Sequence, residues 1–268
     1  MTAGLPALHA GFLREASERL RDDARIVGLA IGGSLVAGAV DEWSDLDFVV
    51  AVEPDAEEAV LADRVRIAAR LGRLVAAFTG EHVGEPRLLI CLYGPPLLHV
   101  DLKFVRLPDV AARVADPTIL WERGGRLTAA LGATRPVAPV VDRQWIEDRF
   151  WVWVHYVAGK IGRGELYEAH DALAFLRARV FGPLAAAGRG VRPSGVRKIE
   201  RVAPDVADAM RATLVGHDAV ACVDALRAAV RLYRRLRDGA VVERRADAEA
   251  LAVAYLDDVA ARVGAGGG

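Results

Sequence analysis

At 268 residues, with 53% of them hydrophobic and a formal charge of −1, the chain can bury one large core or two modest ones and is too apolar to be disordered. Its 35 basic and 36 acidic residues nearly cancel, which excludes a global basic field that would draw it to nucleic acid. Cys91 and Cys222 lie too far apart in sequence for a metal-cluster motif and read as reduced, buried thiols; with no leader pattern at Met1–Pro6 and no apolar run of transmembrane length, a cytoplasmic protein off the membrane is expected.

Leu8 to Ala24 places Leu8, Phe12, Leu13, Ala16 and Leu20 near helical spacing and predicts a leading helix. Ile26 to Ile31 reads as a short buried strand ended by Gly32-Gly33, and Asp47 to Val52 as a second one closed by Pro54. A helix is predicted over Asp55 to Val75, and a strand over Arg87 to Tyr93 between Pro86 and Gly94-Pro95-Pro96. Leu98 to Val105 alternates: Leu98, Val100, Leu102 and Phe104 face one way, His99, Asp101 and Lys103 the other. The short Gly-Pro-Pro link predicts that these last two strands pair antiparallel.

After a Pro-containing link (Arg135-Pro136-Val137-Ala138-Pro139) the pattern turns helical, over Asp142–Ile161, Glu165–Phe181, Pro204–Leu214, His217–Arg237 and Ala246–Val263, with Gly264–Gly268 as a fraying tail. The fold class is therefore α+β (α/β): a mixed sheet with flanking helices over residues 1–138, then an all-helical domain over 139–268.

Asp45 and Asp47 are the informative pair. Two residues apart at the head of a strand, they share a face while Leu46 and Phe48 take the other. Like charges so placed repel unless a cation lies between them, and hard carboxylate oxygens suit Mg²⁺ completed by water and phosphate. The preceding Gly33-Ser34 turn lets backbone N–H groups and a hydroxyl approach phosphate oxygens. Asp101 would complete a three-carboxylate cluster if its strand lay beside that of Asp47, a pairing that the sequence leaves open.

Gly33-Ser34, ten residues, then Asp45-x-Asp47 between apolar runs resembles the signature of the DNA-polymerase-β-like nucleotidyltransferase superfamily, with Asp101 similar to its third carboxylate. The length and helical back half are similar to the bacterial aminoglycoside and lincosamide nucleotidyltransferases. Thr118 to Leu127 resembles the strand and turn that follow the third carboxylate there, with Glu122 where Asp is expected. The resemblance implies transfer of an NMP, AMP from ATP, to a hydroxyl of a small molecule such as an aminoglycoside-type antibiotic, releasing pyrophosphate, and hence a role in antibiotic resistance. Asp45 and Asp47 would hold Mg²⁺, Gly33 and Ser34 the β/γ-phosphates, and Lys160 would reach the triphosphate. Asp101 would ligate a second metal or accept the hydroxyl proton. The base role is assigned to Asp101 because Tyr156 stands where some relatives carry a Glu.

Plainer readings stand beside these. Asp101 could sit on an exposed edge and pair with Lys103; Lys160 could complement its helix C-terminus; Arg163 and Glu165 read as a surface pair. His99 and His155 read as structural, Trp145, Trp151 and Trp153 as core or cleft wall, and Pro193 to Lys198 as a solvated basic loop. Glu147, Asp148, Glu165, Glu168 and Asp171 could line a cleft for a cationic acceptor or could be helix surface. The alternative functions are a protein-modifying nucleotidyltransferase and a catalytically silent nucleotide-binding relative.

Overall fold

In a computed structural model, which describes residues 4–36 and 38–265, the chain forms two compact units, Met1–Ala138 and Pro139–Gly268. The first is built on β1 (Ile26–Ile31), β2 (Leu46–Val52), β3 (Leu74–Gly80), β4 (Glu85–Tyr93), β5 (Leu98–Arg106) and β6 (Thr118–Glu122), in the order β3-β4-β5-β2-β1-β6. Neighbours run antiparallel except β2 and β5, which pair in parallel with Asp47 opposite Asp101. Helices α1 (Ala7–Arg21), α2 (Gly33–Val36), α3 (Glu57–Ala69) and α4 (Arg126–Gly132) complete the unit.

The alternation along β2 and β5 makes two apolar layers. Leu46, Phe48 and Val50 join Val100, Leu102 and Phe104 in a cluster with Leu13, Ala16 and Leu20 of α1 and Val60 and Ile67 of α3. Ala51 and Val105 face the opposite way, with Val27, Ala30 and Leu127. β1 is buried along its whole length because both layers need it.

The helix expected over Asp55–Val75 stops at Ala69, and Leu74–Gly80 forms β3 instead. Gly72 interrupts the helical run, and Leu74 to Thr79 finds a partner in β4 that helical periodicity could not reveal. β4 also starts before Pro86, opposite a register shift at Thr79/Gly80 where the lost N–H is tolerated.

The second unit is helical: α5 (Arg143–Gly162), α6 (Leu166–Leu176), α7 (Gly182–Ala187), α8 (Ile199–Val202), α9 (Pro204–Arg211), α10 (Ala219–Arg237) and α11 (Ala246–Ala265). Among its described residues the β structure is one isolated bridge, Ser194–Val196. Asp142 and Asp218 cap α5 and α10, accepting from the Trp145 and Ala221 amides at 2.8 Å each. A π-turn over Arg177–Phe181 joins α6 to α7, so the helix predicted to end at Phe181 continues to Ala187. α9 ends at Arg211, short of Leu214. Gly264 and Ala265 belong to α11, and the rest of the expected tail, like residues 1–3 of the N-terminal segment, lies outside the described residues.

The core of this unit stacks Phe150 on Tyr233, ring centroids 3.8 Å apart, beside Trp151 and Phe181. Within it sits Glu147, with no solvent exposure. It accepts from the Tyr233 hydroxyl at 2.6 Å, the Arg245 amide at 3.0 Å, the Trp151 indole at 3.2 Å and Arg237 at 3.1 and 3.2 Å. Arg237 also bonds Glu249 at 2.8 Å. Burial pushes the Glu147 carboxyl up, but the hydrogen bonds from Tyr233, Arg245, Trp151 and Arg237 outweigh it and hold it below the ordinary value. Glu147 is thus a core hub that ties α5 to α10 and to the segment before α11. Of the two readings given to it, neither cleft wall nor helix surface describes it.

Removing Glu147 leaves Arg237 in the core with one carboxylate fewer. Glu147→Ala is expected to lower the unfolding free energy by about 3–5 kcal/mol in urea titrations of the full chain. Because its folded value is depressed, its contribution is complete above the ordinary value of 4.5 and is lost as pH falls through the folded one. The wild-type midpoint should therefore decline with pH below that value, and that decline should be smaller in Glu147→Gln.

Candidate active site

Where β1 gives way to α2, the chain passes close under the head of β2. The Gly32 amide donates to the Asp47 carbonyl at 2.8 Å. Gly33 follows with φ +63°, and a Cβ there would stand 1.8 Å from Asp47 Oδ2. Only glycine satisfies both the left-handed backbone and that approach. Ser34 then presents a buried Oγ that has no hydrogen-bond partner.

Asp45 precedes β2 and Asp47 is its second residue; both are half-buried. The loop before them is knotted by short-range bonds. Ser44 Oγ accepts from the Asp41 amide at 3.0 Å and donates to Asp41 Oδ1 at 2.9 Å. His9, 1% exposed on α1, donates from Nε2 to the Ser44 carbonyl at 2.7 Å and so ties the segment carrying Asp45 to the first helix.

Asp101 enters from β5 across the parallel ladder from Asp47. Its Oδ1 lies 3.0 Å from His99 Nε2, two residues earlier on the same face. Burial pushes the Asp101 carboxyl up, and the nearby negative charge of Asp45 adds to that, while His99 opposes it. The plainer reading of Asp101 as a partner of Lys103 is not what the structure has, since Lys103 bonds Glu85 at 2.8 Å. His99, read as a structural histidine, is instead the neighbour of Asp101. Its position two residues away on one strand face was the signal for it. His9 carried no comparable signal, because the helix that brings it to Ser44 is distant in sequence.

Among the described residues no group of three or more His, Cys, Asp or Glu forms a ready-made metal cage. The donor set suits a different arrangement. Burial and, to a smaller extent, the charge of Asp45 raise Asp101, the Asp47 carboxylate lies in the space that a Cβ on Gly33 would take, and Ser34 Oγ is buried without a partner. These residues fit a hard divalent cation shared with phosphate oxygens, the mode in which Mg²⁺ takes few protein ligands.

In the second unit, Lys160 lies in the last turn of α5. Its Nζ bonds Glu165 at 2.6 Å and lies 5.2 Å from the centre of the Tyr156 ring. Arg163 stands 3.7 Å from the same carboxylate, as the expected surface pair. Of the acidic residues considered for a cleft, Asp148 bonds Gln144 and Arg245 at 2.8 Å each, and Glu168 accepts from the Tyr156 hydroxyl. Glu168 and Asp171 border a pocket of about 510 Å³ with Trp153, Tyr156 and Phe175. Glu122 accepts from the amide and hydroxyl of Thr128 and so secures the first turn of α4.

Residues 13–83 match the family model described as the nucleotidyltransferase domain, a stretch that holds Gly33, Ser34, Asp45 and Asp47. The match covers the part of the first unit, from α1 to the turn after β3, that carries the Gly-Ser turn and the Asp-x-Asp pair. No curated protein matches the chain. Among solved structures it is similar to an aminoglycoside 6-adenyltransferase from Bacillus subtilis, at 15% identity and a TM-score of 0.41, over 92% of this chain and 96% of that one. A likeness that distant carries no argument about the acceptor.

Gly33→Ala forces a left-handed alanine against the Asp47 carboxylate. It is expected to cost at least about 1 kcal/mol of stability in denaturant titrations. In Gly33→Ala/Asp47→Ala, where the clash is gone, the Gly33→Ala change should cost less.

Proposed function

We propose that the protein transfers AMP from ATP to a hydroxyl of a small molecule, of the aminoglycoside-antibiotic type, and releases pyrophosphate. Residues 1–138 act as the nucleotidyltransferase domain and 139–268 as the helical domain. The observation that carries the reading is the family match over residues 13–83, with the Gly-Ser turn and the Asp-x-Asp pair inside it.

In this reading Asp45 and Asp47 hold Mg²⁺, which when bound neutralises charge on the triphosphate. The backbone at Gly33 and the Ser34 hydroxyl hold β/γ-phosphate oxygens, a role supported by the left-handed glycine turn and by the buried Ser34 Oγ that has no partner. Asp101 takes the acceptor's proton, its raised affinity for a proton suiting a base. The hydroxyl oxygen attacks the α-phosphorus in line, the bond from that phosphorus to the bridging oxygen breaks, and pyrophosphate leaves. Positioning and charge neutralisation supply most of the acceleration. Lys160 serves the triphosphate once it exchanges Glu165 for phosphate. A cationic acceptor is supported by Glu168 and Asp171, exposed beside three aromatic rings.

A cytoplasmic setting is supported by buried, unpaired Cys91 and Cys222, the former pushed up to about 12 by burial. Among the described residues no helix is long and apolar enough to cross a membrane.

A pyrophosphate-release screen with Mg²⁺, four nucleoside triphosphates and a panel of aminoglycosides and other hydroxylated antibiotics tests this reading. Release is expected with ATP and an aminoglycoside, and its loss on adding EDTA. Asp47→Asn should cut turnover by about 100-fold or more with an unchanged circular-dichroism spectrum. Full turnover by that variant would sink the assignment.

A further inference from the structure

The segment between α7 and α8 packs backbone against backbone. A Cβ on Gly182 would stand 2.1 Å from the Gly195 carbonyl oxygen, so no side chain separates the loop from the helix. Two turns shape the loop, with the Arg197 amide on the Ser194 carbonyl at 3.0 Å and the Ile199 amide on the Val196 carbonyl at 3.1 Å. The result is a hollow of about 170 Å³ lined by buried Ala186 and Ile199 and exposed Val191, with a rim of exposed cations, Arg192, Arg197 and Lys198.

Two observations set this hollow apart from an ordinary solvated loop. Among the described residues, none of the three rim cations stands within ion-pair distance of a carboxylate, whereas nearby Arg189 and Arg211 are paired with Asp205 and Asp208. An anion in the hollow would meet three positive side chains that no protein carboxylate neutralises. In addition, Lys198 has φ +58°, the one non-glycine with positive φ among the described residues. A left-handed lysine carries a steric cost that glycine would not. Strain retained at a cationic rim of a preformed hollow is the kind that marks ligand clamps.

We propose that this hollow binds a small amphipathic anion, a compact apolar group on Ala186, Val191 and Ile199 carrying a phosphate or carboxylate between Arg192, Arg197 and Lys198. Its volume holds roughly six waters at about 30 Å³ each, the size of a one-ring organic anion rather than of a nucleotide. The site lies within the second unit and does not depend on the nucleotidyl-transfer reading.

Calorimetry and amide-detected NMR on the full-length protein test it with four probes: phenyl phosphate, benzoate, inorganic phosphate and phenol. Phenyl phosphate, benzoate or both are expected to shift the amides of residues 191–199 and to bind about tenfold or more tightly than inorganic phosphate or phenol. Which of the two binds identifies the head group. Arg197→Gln and Lys198→Gly should each weaken that binding about tenfold, as loss of a charge-assisted hydrogen bond does. The Lys198→Gly protein should melt at or above the wild-type temperature, so its lost affinity is not lost folding. The proposal is overturned if no probe perturbs these amides at millimolar concentration. It is equally overturned if phenol or inorganic phosphate binds as tightly as the aromatic anions, or if both variants bind like wild type.

Discussion

Because side chains alternate along a strand, the parallel register of β2 with β5 decides what both faces of the first unit contain. With Asp47 opposite Asp101, Phe48 meets Leu102 and Val50 meets Phe104 in the apolar layer beneath α1 and α3. A slip of one residue would put carboxylates into that layer and the phenyl rings outside it, at a cost of several kcal/mol for each buried charge. The burial that stabilises the sheet therefore also aligns the acidic face. Neither function of the register can change without the other.

Charge is handled differently in the two units. On the acidic face, burial and the nearby Asp45 push the Asp101 carboxyl upward, and His99 at 3.0 Å opposes them. In the helical core, Glu147 receives its compensation from within, through Arg237, Tyr233, Trp151 and the Arg245 amide. A carboxylate satisfied internally holds structure together.

The strands that frame the acidic pair and the long helices were legible because each carries a full period of its pattern: five apolar residues and one glycine in β1, clean alternation in β5, and spaced aromatic and aliphatic residues in α5 and α10. β3 was not, since Leu74 to Gly80 becomes a strand only by meeting β4, a long-range event with little local trace. The candidate site was legible where spacing encodes it, at Gly33, Ser34, Asp45 and Asp47. The partnership of His99 with Asp101 was half-written in the alternation, while the bond from His9 to Ser44 depends on helix docking. Glu147 was misread because an acidic residue next to Asp148 on a helix resembles surface. Only the tertiary arrangement reveals that Tyr233 and Arg237 surround it.

The π-turn at Arg177–Phe181 decides which face α7 turns to the loop before α8. An extra residue within one turn rotates everything after it by about 100° relative to a continuous α-helix. That rephasing is what turns Gly182 toward the Gly195 backbone while Val180 and Phe181 stay in the core. Gly182 is thus the residue on which the neighbouring loop's path depends, since any side chain there would meet the Gly195 carbonyl.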